Sequence, residues 1–214
     1  MKRVRGFGIR GLMVAAATAA VLVAVQCGTD EGPGPGELVI TPSDPVVQAS
    51  SGQLFSAAVD GEQKSVSWYV NGVQGGMPET GLITTDGFYV APCEVPSGGG
   101  VTLSALAASD TVLQATPPVA IEREDGAVYV TVSPDTVTLM ASQSMAFSSD
   151  VFECHSESVV WSVGRLWGSS SSLGSISTSG LYQTPLSGSS DFAVAVLATS
   201  FDCPGKTGIA TVFV

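Results

Sequence analysis

Short runs in which apolar and polar residues alternate, separated by turn signals, fill most of the chain after residue 36. Residues 101–107 alternate large apolar side chains with small or polar ones at a period of two, which is typical of a β-strand with one buried face. Asn71 and Gly72 directly follow an apolar run, and this dipeptide favours the tight turn of a β-hairpin. Helical periodicity is rare, and 25 glycines with 12 prolines suit many short strands joined by turns. The pattern therefore predicts an all-β fold.

The strand pattern occurs twice along the chain. Matching positions lie 91 to 93 residues apart, and the small changes in spacing correspond to loop insertions or deletions between shared strands. The matched aromatic positions are Trp68 with Trp161 and Tyr89 with Tyr182. A period this long exceeds the roughly 20–50 residues of a solenoid unit, so each copy is long enough to bury its own core. We predict two tandem domains with these four aromatic side chains in their cores.

The repeat and the local composition divide the chain into five segments. These are a signal segment over residues 1–26, an acidic Gly/Pro tether over 27–36, a first domain over 37–121, a hinge over 122–126 and a second domain over 127–214. Several carboxylates lie close together in the hinge, and they suit either a Ca²⁺ site or a solvated linker. We favour the linker, and predict no metal or cofactor, because the spaced Asp ligands of a calcium loop are missing and Arg123 lies inside the cluster.

The N-terminal segment has the features of an export signal. Residues 1–10 carry four basic side chains, and residues 11–25 form an uncharged run rich in Ala, Val and Leu. This run is shorter than the about 18–20 apolar residues of a membrane-spanning helix. Cys27 follows the run and precedes the tether, which resembles a bacterial lipoprotein signal, in which such a cysteine becomes the lipidated first residue. Gln26 stands where that pattern has a small residue, and a soluble secreted protein is the alternative.

The distribution of charge bears on the partners and the location of the protein. Four basic side chains stand against nineteen acidic ones from Cys27 onward. A body this acidic repels phosphate backbones, so we predict no nucleic-acid partner. We predict an exported protein of the cell envelope, lipid-anchored through Cys27 to a bacterial membrane and facing the surface or the periplasm.

The order of motifs resembles that of bacterial Ig-like domains of the group-2 type. In each copy a strand ends at a proline, and a Phe, a Trp, a Gly-x-Tyr-x-x-Pro motif and a strand of alternating large and small apolar residues follow. The resemblance covers residues 37–121 and 127–214. It implies two tandem Ig-like β-sandwich domains of about seven strands each. It also implies a role as a stalk or adhesive module and brings no catalytic residues with it.

The cysteines allow more than one arrangement. In an Ig-like sandwich the loops that contain Cys154 and Cys203 share one end, so a disulfide between them is expected in an oxidising compartment. The rival is a zinc site made of these two cysteines, His155 and Asp202, but the paired spacings of zinc ligands are absent. Cys93 has no counterpart in the second copy and remains a free, intermolecular or buried thiol.

His155 is the single histidine, and its context disfavours catalysis. It lies in a polar connection between strands, and no serine has the surroundings of a nucleophile elbow, so we predict that the protein is not an enzyme. We expect a membrane-anchored surface lipoprotein whose domains act as a spacer or as an adhesion and binding module for a protein or glycan partner. The alternative is a secreted carbohydrate-binding accessory protein, with Trp167 as its candidate exposed ring.

Overall fold

Strands and short turns make up the described part of the chain. The computed structural model describes residues 37–107, 114–115, 118–123, 126–186 and 191–214. This described part contains no helix with the length and hydrophobicity needed to cross a membrane. The all-β prediction is confirmed.

The first domain is built from short strands because prolines, glycines and tight turns interrupt the alternating pattern. In chain order they are β1 (Leu38–Thr41), β2 (Val46–Gln48), β3 (Gly52–Leu54), β4 (Ser56–Val59), β5 (Glu62–Gln63), β6 (Val66–Val70), β7 (Val73–Gln74), β8 (Gly76–Met77), β9 (Gly81–Ile83), β10 (Phe88–Val90), β11 (Gly100–Val101), β12 (Leu103–Ala107), β13 (Gln114–Ala115) and β14 (Val119–Glu122).

These strands form two layers around one core. One layer contains the sheets β1-β4-β5 and β3-β10-β9-β8, and the other contains β11-β14-β2 and β13-β12-β6-β7. Among the described strands of this domain, every pair is antiparallel except β2 with β14, which run parallel. The predicted turn at Asn71 and Gly72 joins β6 to β7, and both residues have positive φ. Between the layers, Phe55, Trp68 and Tyr89 are the large aromatic members of the first core.

The second domain repeats this arrangement with fewer and longer strands. In chain order they are β15 (Tyr129–Ser133), β16 (Thr136–Thr138), β17 (Ser144–Ala146), β18 (Ser148–Phe152), β19 (Val159–Trp167), β20 (Ser175–Ile176), β21 (Leu181–Gln183), β22 (Ala193–Ser200) and β23 (Thr207–Phe213).

The sheet order of the second domain matches that of the first. One layer is β16-β23-β22-β19, and the other contains β15-β18 and β17-β21-β20. The parallel pair of β16 with β23 corresponds to β2 with β14. Phe147, Tyr182 and Phe192 anchor a second core between the layers. The protein is therefore a tandem pair of Ig-like β-sandwiches, as predicted.

The repeat is visible in individual hydrogen bonds. Phe55 donates its N–H to the carbonyl of Gly87, and Phe147 donates its N–H to the carbonyl of Gly180, each at 2.9 Å. In both copies the Phe separates two halves of one interrupted strand, β3 from β4 and β17 from β18. The spacing found in the sequence thus corresponds to one backbone path used twice.

The two core tyrosines have equivalent hydroxyl bonds. The Tyr89 hydroxyl donates to the carbonyl oxygen of Thr80 at 2.7 Å, and the Tyr182 hydroxyl donates to that of Leu173 at 2.6 Å. Both rings are fully buried, so these bonds satisfy hydroxyls that have no access to water.

Candidate functional site

A third apolar cluster joins the two domains. Its buried members are Leu82 and Val90 from the first domain and Leu166, Ala193, Ala195 and Ile209 from the second. Partly buried side chains surround them, namely Phe88, Trp167, Leu197 and Phe213. Both sandwiches lie within one compact unit, Pro33–Val214. The two domains are therefore packed against each other.

Backbone hydrogen bonds also cross from one domain to the other. Thr207 donates its N–H to the carbonyl of Ser50 at 2.7 Å, and Thr85 donates its N–H to the carbonyl of Arg165 at 2.8 Å. The N–H of Val130 donates to the Ser50 hydroxyl oxygen at 3.3 Å. Because each of these bonds fixes direction as well as distance, they set the register of the two domains more sharply than apolar contact alone.

Strand β22 supplies both the second core and the interdomain cluster. Val194 and Val196 point into the second core, whereas Ala193 and Ala195 point to the third cluster, and all four side chains are fully buried. The sequence carries a signal for this, because residues 209–214 and 193–198 show no polar alternation to mark a solvent face. Large and small side chains alternate along β22, but both kinds are buried, the valines in the second core and the alanines in the interdomain cluster.

Beside the third cluster the domains leave a cleft with a volume of about 570 Å³. This size lies within the roughly 300–1,000 Å³ of ligand-binding pockets. Apolar side chains form much of its wall, namely Pro78, Pro92, Val95, Pro96, Val130, Val132 and Ile209. Glu79, Glu94 and Asp135 also line it, and no Lys or Arg belongs to the lining as far as the structure describes it.

One wall of this cleft is the outer edge of β15. Among the described strands β15 pairs with β18 and with no other strand. The N–H of Val130 points away from β18, toward Ser50, and in an antiparallel pair the residue two positions along points the same way. The N–H and C=O of Val132 therefore face outward from the sheet, and Val132 lines the cleft.

An ionic contact lies beside the cleft, near the start of the second domain. Arg123 pairs with Glu94 at 3.0 Å, donates to the carbonyl of Cys93 at 3.3 Å and lies 4.2 Å above the ring centroid of Tyr129. Cys93 is half-buried and not disulfide-bonded. Burial raises the pKa of its thiol, and the Glu94 carboxylate raises that pKa further. A thiol that resists ionisation is a poor nucleophile.

The predicted disulfide is confirmed just after the C-terminal end of β18. Cys154 and Cys203 are bonded, with their Cα atoms 6.4 Å apart. Both sulfurs are thus unavailable as thiolate ligands, which the rival zinc site required. His155 is exposed in the loop between β18 and β19. Across the described residues, no group of three or more His, Cys, Asp or Glu side chains is arranged to hold a metal ion.

The structure separates the aromatic residues into distinct roles. Trp68, Tyr89 and Tyr182 are buried in the cores, and Trp161 is partly buried against the second core. Trp167 was expected to be an exposed ring if the protein binds carbohydrate. It instead packs against the interdomain cluster, with its ring centroid 6.4 Å from that of Phe213. Trp167 is therefore half-buried and not a freely exposed ring, and carbohydrate binding stays a prediction.

Two sequence predictions fall outside the described residues. Cys27 and the tether precede residue 37, so the structure does not test lipidation. Residues 124–125, which supply carboxylates of the predicted hinge, are also outside the described part. The calcium alternative at that joint therefore remains a hypothesis from sequence.

Comparison with known proteins gives neighbours of the same fold at low similarity. No protein-family model matches the chain, and no curated protein matches it in sequence. The tandem Ig repeats of Dlar are similar, with 13% identity, a TM-score of 0.36, and coverage of 83% of this chain and 96% of that one. The N-terminal Ig1-2 module of the Drosophila receptor protein tyrosine phosphatase DLAR shows 16% identity and a TM-score of 0.35, covering 82% of this chain and 96% of that one.

A longer Ig array is similar to the same degree. Sidekick-1 immunoglobulin domains 1–4 show 13% identity and a TM-score of 0.32, covering 82% of this chain and 51% of that chain. TM-scores in this range carry no functional argument. The assignment of the fold therefore rests on the strand order, the register and the cores described above.

Proposed function

We propose that this chain is a non-enzymatic, exported protein that is tethered to a bacterial membrane through Cys27 and acts as a rigid two-domain binding module. The observation that carries this proposal is the third apolar cluster, which packs the two sandwiches against each other and leaves a cleft between them. A fixed pair of domains positions a shared surface, which a flexibly linked pair does not.

The sequence and the covalent structure support the location. Residues 1–27 combine a basic start, an apolar run too short to span a bilayer, and a cysteine followed by an acidic Gly/Pro tether. The disulfide between Cys154 and Cys203 is typical of a protein in an oxidising compartment. A tether of about ten residues would let the domains stand up to roughly 35 Å from the membrane.

The non-enzymatic role is supported by the surroundings of the candidate nucleophiles. His155 is exposed in a loop next to the disulfide, and the Cys93 thiol has a raised pKa. Neither residue has the paired, oriented base that nucleophilic catalysis requires.

Metabolic labelling with a fatty acid tests the anchor. We expect the wild-type chain to incorporate label and to fractionate with membranes, and the Cys27→Ser variant to lose label and to be released or remain an uncleaved precursor. Cys93→Ser is the matched control, since it removes the other unpaired thiol and should leave labelling unchanged. Equal labelling of wild type and Cys27→Ser would contradict the proposal and favour a soluble secreted protein.

A further inference from the structure

The cleft between the domains combines an open strand edge, apolar walls and acidic side chains. We propose that it binds an extended, basic peptide segment of a partner protein, which adds to the outer edge of β15 as an extra strand. This inference rests on the proposed binding function and names the chemistry of the partner. It does not depend on how the protein is anchored.

The backbone of β15 supplies the polar recognition. Val132 presents its N–H and C=O away from β18 and toward the cleft, as the bond from Val130 to Ser50 establishes by alternation. An added strand satisfies such groups with main-chain hydrogen bonds and does so largely without regard to sequence. Nearer the start of the strand the edge is already closed, because the Val130 carbonyl lies against Gly208. The available edge is therefore short and localised at Val132.

The walls select apolar side chains. Pro92 and Pro96 of the first domain and Ile209 of the second line the cleft, and Val132, whose side chain belongs to the second core, borders it. Side chains of an added strand alternate between the two faces of the extended sheet. Every second side chain of the peptide would therefore contact these walls, and the intervening ones would point to the rim.

The charge around the cleft selects a basic peptide. Glu79 and Asp135 are exposed carboxylates that line it. Arg123 pairs with Glu94, which lines the cleft, and Lys206, next to the lining residue Thr207, donates to the carbonyl of Ala49 at 3.0 Å. The protein's own tether carries Asp30 and Glu31 and no basic residue, so it has the wrong charge for this surface. A basic segment of another protein fits the charge.

A soluble chain that starts at residue 27 and carries Cys27→Ser allows the binding to be measured by titration. The probe is a short, fluorescently labelled peptide in which Val and Lys alternate. Two matched versions carry N-methyl groups, one on all Val amides and one on all Lys amides. Because alternate amides of a strand point to opposite edges, one methylated peptide should lose affinity by about tenfold or more, while the other should bind like the parent.

Further probes and variants test the charge and the location. A peptide with Glu in place of Lys, and a peptide of the tether sequence, should not bind. Asp135→Asn should weaken binding several-fold, whereas Asp150→Asn, which removes an exposed carboxylate on β18, should not change it. Val132→Pro removes the outward N–H and should abolish binding, and Val132→Thr keeps that N–H and should retain it.

The outcomes separate this inference from the anchoring proposal. If both methylated peptides bind equally, or neither the parent nor any other peptide binds, strand addition at β15 is wrong. If the acidic peptide binds as well as the basic one, the charge argument is wrong. Loss of fatty-acid labelling in wild type, in contrast, would overturn the anchor and leave these titrations unaffected.

Discussion

Gly87 and Gly180 occupy equivalent places in the two domains and show how single residues keep the repeat in register. Both have positive φ, of 88° and 80°, and both accept the N–H of a core phenylalanine. A Cβ atom at Gly87 would overlap the carbonyl oxygen of Phe55, and one at Gly180 would overlap that of Phe147. These positions therefore require glycine for two reasons, backbone conformation and close approach.

Alanine substitutions separate the two reasons. Gly87→Ala should lower the free energy of unfolding by about 3 kcal/mol or more, since it adds a steric clash to the cost of positive φ. Gly61→Ala is the matched control, because Gly61 has φ of 83° and no atom within 4 Å of its added Cβ. It should cost only about 1–2 kcal/mol. Equal losses in urea unfolding would show that the close approach to Phe55 is unimportant.

The buried tyrosine hydroxyls predict a response to alkaline pH. Burial raises the pKa of Tyr182 from about 10 to about 12. The unfolded chain therefore releases this proton at a lower pH than the folded protein. Stability should be constant with respect to this group below pH 10 and should fall as the pH rises from 10 to 12.

Tyr182→Phe tests the origin of that response. The variant should be less stable at neutral pH by about 1–2 kcal/mol, because the carbonyl of Leu173 loses its donor, and its stability should fall less steeply above pH 10. Tyr69→Phe, at a half-buried position on β6, is the control and should keep the steep fall. The same steep fall in Tyr182→Phe would assign the alkaline response to other groups.

At the scale of elements, the disulfide ties the loop after β18 to the turn between β22 and β23. It joins residues that are 49 positions apart, so it restricts a long segment of the unfolded second domain. The turn that contains Cys203 leads directly into Thr207, which bonds to Ser50 of the first domain and lines the cleft, so the disulfide also restrains one border of the cleft.

Removing the disulfide should destabilise the protein. Cys154→Ser combined with Cys203→Ser should lower the free energy of unfolding by up to about 4 kcal/mol. Cys93→Ser, which removes a thiol outside the bond, should change it by less than about 1 kcal/mol. Urea unfolding of the three proteins measures both effects. A double variant as stable as Cys93→Ser would contradict the role given to the bond.

The strands, the repeat and the disulfide loops were predictable because each depends on local pattern or spacing. Period-two alternation, the turn at Asn71 and Gly72, and the matched aromatic positions all act within one domain. The packing of the domains was not predicted, because Leu82 and Ala195 look like ordinary strand residues when each repeat is considered alone. The missing polar alternation in residues 209–214 was the available signal.

The cleft, like the packing of the domains, could not be predicted from local sequence pattern. Its apolar and acidic residues are far apart in the sequence and meet only when the domains pack. The open edge of β15 depends on the direction of the backbone N–H and C=O of Val132, which the sequence pattern does not determine. The hydrogen bond from the N–H of Val130, two residues earlier, to Ser50 determines it.

At the scale of the whole molecule, the central claim is that the two sandwiches are one structural unit. Each has a core of its own, so each retains the capacity to fold, but the second domain alone would expose the apolar side chains of the interdomain cluster. We therefore expect residues 127–214 expressed alone to unfold cooperatively, at lower stability than in the pair and with a tendency to associate.

Scanning calorimetry of the chain from residue 27 with Cys27→Ser tests this coupling most directly. We predict a single transition whose van't Hoff and calorimetric enthalpies agree. Ala195→Glu places a charge in the interdomain cluster and should split the transition in two, at a cost of about 3–5 kcal/mol in coupling, whereas Ser162→Glu at an exposed position of β19 should not. Two separate transitions in the unsubstituted chain, with midpoints that Ala195→Glu leaves unchanged, would contradict the account.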